Sequence, residues 1–246
     1  MKQYTKKYGQ VFLRDKNIGE LETKLLGAEP GSRILEIGPG TGFLTSILLS
    51  HGYLVTAVES DHRFVELLES NFRSNVSDGS LKVLHDNFLE TTLDSVEYEY
   101  IIGNIPYSIS SPVLERLVEL KFKRTVLMVQ LEFAKRMVAP SGSEDYSRLS
   151  VFCSIFFNAS LEKKVPKKLF SPVPGVDSAI VTLEKKIVES DLDWNCADTI
   201  LKEMFSRKRK KIGSEYSGGL YADKRVDQLT PEQIKEIISY RCHCRQ

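Results

Sequence analysis

The chain has 246 residues, 34 of them Lys or Arg and 33 Asp or Glu, for a net charge of +1; hydrophobic residues make up 41% and charged ones 27%. These are the proportions of one good-sized globular domain, or one with a small appendage, and they exclude the disordered and low-complexity classes. No apolar run approaches the ~20 residues of a membrane span, and the opening MKQYTKKYGQ lacks the apolar centre of a signal peptide, so no membrane partner and a cytoplasmic location are expected.

In chain order, RILEIG (33–38) reads as a short buried strand, followed by the turn PGTG and a helix from Phe43 to Ser50. YLVTAVES is a second strand, and a helical pattern runs from Asp61 to about Asn75. LKVLH, YIIGN and RTVLMVQ (124–130) are three more strands, with helices over about 111–121 and 131–139. Strands alternating with helices imply parallel βαβ units, with ligands at the carboxyl ends of the strands. The rhythm then changes: a helix is expected around 147–157, and 160–166 and 176–185 read as a hairpin-like strand pair closing one edge of the sheet. The expected fold is therefore α/β with an antiparallel pair at one edge. Beyond about 187 the pattern is helical, through WNCADTILKEMFSRKRKKIG and LTPEQIKEIISY, and Thr230-Pro231 makes a good helix start.

LEIGPGTGFLT places Gly38, Gly40 and Gly42 between the first strand and first helix. Such a turn serves several nucleoside cofactors. This one is not the dinucleotide G-x-G-x-x-G, and Pro39 removes an amide that a pyrophosphate would use. A ligand without phosphate fits better, and S-adenosylmethionine has none. Glu59 ends the second strand, placed to accept from ribose hydroxyls. Asp86 ends the third, where it can accept from an adenine amine or simply cap the following turn.

Residues 101–111, IIGNIPYSISS, end a strand with a carboxamide beside an aromatic ring. An exocyclic nucleobase amine is a poor nucleophile because its lone pair is delocalised into the ring. The Asn104 side-chain oxygen and the Ile105 carbonyl can both accept from that amine, favouring a tetrahedral nitrogen free to attack a methyl group. Tyr107 offers a stacking face, worth about 1–3 kcal/mol, and Pro106 holds the turn in register.

Cys153, Cys196, Cys242 and Cys244 are expected as free thiols, and Cys242-His243-Cys244 is too tightly spaced for a tetrahedral metal site, so no metal is expected. Two basic clusters stand out: Arg207, Lys208, Arg209, Lys210 and Lys211 without interruption, and Lys163, Lys164, Lys167 and Lys168. Either suits a nucleic-acid partner or a solvated face.

With these residues in place the chain resembles the ribosomal RNA adenine dimethyltransferases, almost end to end. GQVFL (9–13) resembles the family's amino-terminal cofactor motif, and LEIGPGTGFLT, AVESD and HDNFL its other cofactor motifs. GNIPYSISSP resembles its catalytic motif, while VQLEFAKRM, YSRLSV, VPKKLFSPVPGVDSAIV and FSRKRKK resemble later blocks. The resemblance implies a Rossmann-like, S-adenosylmethionine-dependent methyltransferase domain over 1–187 and a helical rRNA-binding domain over 188–246. It implies dimethylation of adenines in small-subunit rRNA during ribosome biogenesis, by a monomer. Carried over by position, cofactor contacts fall on Gln10, Val11, Leu13, Gly38, Gly40, Glu59, Asp86 and Asn104. Phe170 becomes a second stacking partner beside the catalytic Asn104, Ile105, Pro106 and Tyr107. RNA contacts fall on Lys167, Lys168 and Arg207 to Lys211. Val11 stands where the family usually has His or Asn, leaving only a backbone contact there, and YRCHCRQ matches no family block.

Three rival readings stand beside this one. The macrolide-resistance branch methylates a large-subunit rRNA adenine, but tends to have Asn where this chain has Asp177. A non-catalytic assembly factor would not need an intact Asn104 to Tyr107. A DNA adenine methyltransferase would need a target-recognition domain.

Overall fold

The computed structural model describes residues 11–93, 98–186 and 194–243. It opens with a two-residue strand, β1 (Phe12–Leu13), and helix α1 (Lys16–Leu26), neither of which the sequence pattern predicts. The Asp15 carboxylate caps α1 by accepting from the Ile18 amide at 3.1 Å, and Gly27, at φ 64°, ends it. Strand and helix then alternate: β2 (Arg33–Ile37), α2 (Phe43–Ser50), β3 (Leu54–Glu59), α3 (His62–Asn71), α4 (Arg73–Asp78), β4 (Leu81–His85) and β5 (Tyr100–Asn104). The single helix expected to about Asn75 is thus two, broken at Phe72. Next come α5 (Ser110–Glu119), β6 (Arg124–Gln130), α6 (Leu131–Met137) and α7 (Arg148–Phe156). The remaining strands are β7 (Phe157–Val165), β8 (Phe170–Ser171) and β9 (Ser178–Lys185). Three helices follow: α8 (Trp194–Ser206), α9 (Ser214–Ser217) and α10 (Pro231–His243).

Seven strands form one sheet in the order β4-β3-β2-β5-β6-β9-β7. Its first five members are parallel and β9 runs antiparallel to β6. The chain therefore winds outward from β2 to β4, returns to β5 on the other side of β2, and reverses its order between β2 and β5. Ligand crevices in open α/β sheets form at such a reversal, outside the carboxyl ends of the strands. The central strands are buried on both faces, with Ile34, Leu35, Ile101, Ile102, Val126 and Leu127 each fully closed to solvent. Burial on both faces is why they read as continuous apolar runs rather than alternating ones. A second, two-stranded sheet pairs Leu13 with Phe170 and Phe12 with Ser171, tying the amino-terminal segment to the Pro-rich loop.

The chain divides into two compact units, residues 1–134 with 160–185, and residues 135–159 with 186–246. The second crossing lies two residues from the expected 187/188 boundary, whereas 135–159, expected in the first domain, group with the carboxyl-terminal residues. In the second unit α10 packs on α7 and α8. Thr230 starts α10 as expected, its hydroxyl accepting from the Gln233 amide at 3.3 Å while the Gln233 side chain accepts in return at 3.1 Å.

The thiol expectation is corrected here. Cys196 on α8 and Cys242 on α10 form a disulfide, with Cα atoms 6.0 Å apart. The pairing follows from helix packing, which no Cys spacing in the sequence reveals; Cys153 is free and buried. Among the described residues, no helix is long and apolar enough to cross a membrane.

Candidate active site

The loop after β2 and the turn after β5 face one cleft, at the reversal point of the sheet. Gly38 donates its amide to the Val58 carbonyl at 2.9 Å, fastening the loop to β3. Gly40 has φ 55°, and a Cβ there would lie 2.9 Å from the Phe12 ring, so only glycine lets β1 close over the loop. Gly103 serves a different need. A Cβ on it would meet the Ile37 carbonyl at 2.8 Å, so its absence lets β5 lie close against β2 just before Asn104.

The expected cofactor carboxylates sit at successive strand ends. Glu59 is only 5% exposed; its Oε2 accepts from the Gly40 amide at 3.0 Å and its Oε1 from the Asp61 amide at 2.9 Å. Burial raises its pKa, and the backbone bonds oppose that rise. The Ser60 amide adds a third backbone bond, leaving the carboxylate lone-pair capacity for a further donor. Asp86 is exposed and lines the same cleft. It also caps its own turn: a bond from the Thr91 side chain, then one from the Asn87 amide at 2.7 Å, hold its carboxyl below the usual range. Asp86 thus caps its turn while lining the cleft.

Val11, Leu13, Asn104, Ile105, Pro106, Tyr107 and Phe170 line this cleft too. Gln10 lies outside the described residues. Leu13 and Phe170 are paired across the small sheet, at 4% and 5% exposure. The Tyr107 hydroxyl shares a hydrogen bond of 2.8 Å with the Ser178 hydroxyl at the start of β9, which fixes the plane of the ring. Two aromatic rings, Tyr107 and Phe170, thus border one space at the end of β5.

Asn104 carries the least satisfied polar group there. Its Nδ2 donates to Glu22 Oε2 at 3.4 Å, and its Oδ1 is closed to water without a hydrogen-bond partner. An acceptor left so costs about 1–3 kcal/mol, which a donor from a ligand would recover. Glu22 and Glu36 are residues that the sequence reading misses. Glu22, on α1, is fully buried, and desolvation, opposed by the Asn104 bond, pushes its pKa up to about 8. Glu36, on β2, is pushed up to about 8 in the same way, against the bond its Oε2 accepts from the Thr45 hydroxyl at 2.7 Å. One signal for Glu22 is present in the sequence: it falls four residues after Ile18 and four before Leu26, in the apolar stripe of α1.

The charges around the cleft are one-sided. Among the described residues lining it are Glu36, Glu59 and Asp86, and no Lys, Arg or His. Burial keeps Glu36 neutral below about pH 8 while Asp86 stays ionised, so the lining offers a phosphate no cation and presents its negative charge at Asp86. In the first unit, Lys163, Lys164, Lys167 and Lys168 carry the basic cluster, and all four are exposed. Lys164 pairs with Asp177 at 2.9 Å, and Lys167 donates to the Gly175 carbonyl at 3.2 Å. In the second unit, Arg207, Arg209, Lys210 and Lys211 are exposed beyond the end of α8. Lys208 differs, donating its ammonium to the Tyr146 and Glu144 carbonyls at 2.7 and 3.2 Å.

The family model described as ribosomal RNA adenine dimethylase matches residues 1–237. The chain belongs to the ribosomal RNA adenine dimethylase family. A probable ribosomal RNA small subunit methyltransferase A of Methanospirillum hungatei is 34% identical over 235 residues, covering 94% of this chain and 91% of that one. A solved dimethyladenosine transferase of Plasmodium falciparum matches with a TM-score of 0.81 and 26% identity, over 92% of this chain and 95% of its own. The solved 23S rRNA methyltransferase ErmE matches with a TM-score of 0.67 and 25% identity, over 94% and 99%. The seven-stranded, mostly parallel sheet is thus the Rossmann-like sheet of the methyltransferases, and this dimethylase belongs to that enzyme class.

Proposed function

We propose that this dimethylase transfers methyl groups from S-adenosylmethionine to the exocyclic amine of adenines in a loop of small-subunit rRNA during ribosome biogenesis, as a cytoplasmic monomer. The carrying observation is the partnerless Asn104 Oδ1 at the end of β5, in one cleft with the glycine loop and two aromatic rings. The cofactor is a sulfonium with an ammonium group and no phosphate, and a cleft lined by the ionised Asp86 and by no Lys, Arg or His fits it. When bound, it supplies an activated methyl group.

The chain's own residues do the rest. Glu59 holds the Gly40 amide with one oxygen and keeps lone pairs for ribose hydroxyls. Asp86 stays ionised, ready to accept from an amine. Val11, Leu13, Gly38 and Gly40 form the wall against which the cofactor packs. Tyr107 and Phe170 sandwich the target base, and Asn104 Oδ1, helped by the Ile105 carbonyl, accepts from its amine. Pro106 sets the turn between them, at φ −56° and ψ 135°. Orientation and hydrogen bonding carry the catalysis. A base stacked in a duplex cannot enter such a cleft, so a loop or splayed base is the substrate. The small subunit is favoured over the large by Asp177, which accepts from the Lys167 amide at 2.9 Å and shapes the loop leading to Phe170.

The test is direct. Incubated with undermethylated small subunits, large subunits and methyl-labelled donor, the protein should place dimethyladenine in small-subunit rRNA. Label confined to large subunits, or absent from both, would overturn the proposal.

The cations of the two clusters are proposed to bind phosphates. Replacing Arg207, Arg209, Lys210 and Lys211 by Gln should weaken rRNA binding and flatten its dependence on log salt by about 0.7–0.9 for each phosphate no longer neutralised. A filter-binding slope equal to the parent's would reduce the run to a solvated face. Lys208 is left in place because its ammonium anchors the Glu144 to Tyr146 backbone.

A further inference from the structure

The geometry points to Glu22 as a positioning residue that decides which end of the Asn104 carboxamide faces the acceptor amine. This inference rests on the methyl-transfer reading above and deepens it. Asn104 has two chemically opposite ends, and only the oxygen can accept from a nucleobase amine. Nothing in the packing of a nearly symmetric carboxamide distinguishes them; a fixed hydrogen-bond partner does. Glu22 Oε2, 3.4 Å from Asn104 Nδ2, is that partner, and it reaches Asn104 from α1, outside the cleft lining.

The carboxyl of Glu22 has two states with opposite consequences. As a carboxylate it only accepts, so it selects the pose with Nδ2 toward α1 and leaves Oδ1 for the substrate. As a neutral acid it gains a donor, and its hydroxyl can bond Asn104 Oδ1. That bond takes the acceptor away from the substrate or stabilises the reversed pose. Both atoms this exchange would join, Glu22 Oε1 and Asn104 Oδ1, are buried and without hydrogen-bond partners. The proton given up on ionisation goes to solvent, and no other group is consumed.

The surroundings of Glu22 leave its ionisation mainly to burial. From β2 it faces Glu36, whose charge further disfavours its own. α2 carries no ionisable side chain in FLTSILLS. From β5 the other polar group is Tyr100, whose hydroxyl donates to the Gly27 carbonyl at 3.4 Å. From β6 the charged group is Arg124, which donates to the Leu25 carbonyl at 3.2 Å and pairs with Glu184. On α1 itself, Glu20 pairs with His51 and Lys16 at the surface. With a midpoint near 8, Glu22 changes state within the range where the enzyme can be assayed.

The experiment compares kcat against pH for the parent and for Glu22→Gln, and follows the Asn104 side-chain amide resonances of the cofactor-free parent. The parent's kcat should rise by roughly tenfold or more between pH 6.5 and 9.5, while Glu22→Gln should change less than about twofold. The Asn104 amide resonances, assigned by their loss in Asn104→Ser, should titrate with the same midpoint as the parent's kcat. An active parent without the rise, a Glu22→Gln enzyme that keeps it, or Asn104 resonances flat with pH would each overturn the role of Glu22. The resonance titration keeps the test decisive should Glu22→Gln fold poorly. A parent inactive on every rRNA substrate would instead overturn the methyl-transfer reading.

Discussion

Replacing Asn104 by Ala is expected to lower kcat by about 10²–10³-fold or more while moving cofactor affinity by no more than a few-fold. The side chain is placed at the acceptor end of the cleft, where its desolvated oxygen has no competing water bond. A hydrogen bond made there strengthens as positive charge develops on the amine, so it acts in the transition state rather than in binding. In the proposed arrangement the cofactor end is held by other groups: the Gly38 and Gly40 backbone, Glu59 and Asp86. The fold should survive, because Glu22, deprived of the Asn104 amide, can stay neutral at little further expense. Calorimetry of cofactor binding and single-turnover methylation separate the two effects. Abolished cofactor binding would contradict this division of labour, and undiminished turnover would remove Asn104 from the chemistry.

How much of this is legible in the sequence depends on the kind of signal. The five parallel strands can be read to within a residue or two because burial on both faces writes them as apolar runs. The expected site residues at the ends of β2, β3, β4 and β5 meet in one cleft for a related reason: an α/β sheet gathers its ligands at the carboxyl ends of its strands. Helix α1 escapes the pattern although Asp15 and Gly27 mark its ends. Its stripe of Ile18, Leu21, Leu25 and Leu26 is interrupted by Glu22, which a periodicity argument discounts and which bonds Asn104 across 82 positions. Strands β1 and β8 are two residues long, too short to have a period. The basic run reads as a helical continuation, but α8 ends at Ser206, and Lys211 instead bridges to Arg225. The Cys196–Cys242 pair, 46 residues apart, depends on how α8 meets α10, which no local pattern encodes.

Thermal stability should be greatest near pH 4.5 and fall by on the order of 10 °C by pH 9. The sign follows from the buried carboxyls. Glu22 and Glu36 have pKa values raised from 4.5 to about 8 in the folded chain, and that of Glu59 is raised as well. Between these limits the folded state holds protons that the unfolded state has released. Stability is therefore fully present below 4.5 and is lost as pH rises through about 8, each of the two deepest groups contributing on the order of a few kcal/mol. At the acid side the sign reverses. Asp86, Asp177 and Glu99 have lowered pKa values, so their contribution disappears as pH falls below the ordinary carboxylate range. The Cys153 thiol is pushed upward by burial and stays neutral throughout, so it adds no slope. Scanning calorimetry of the parent and Glu22→Gln from pH 5 to 9 tests this. The variant's slope above pH 6 should be roughly half the parent's, leaving it the more stable protein at pH 9. Equal slopes would mean that Glu22 ionises in the folded chain as readily as in the unfolded one, so that burial does not raise its pKa. The burial that delays the ionisation of Glu22 to about pH 8 is what weakens the fold above pH 4.5, so a carboxyl in the apolar stripe of α1 represents stability given up for orientation.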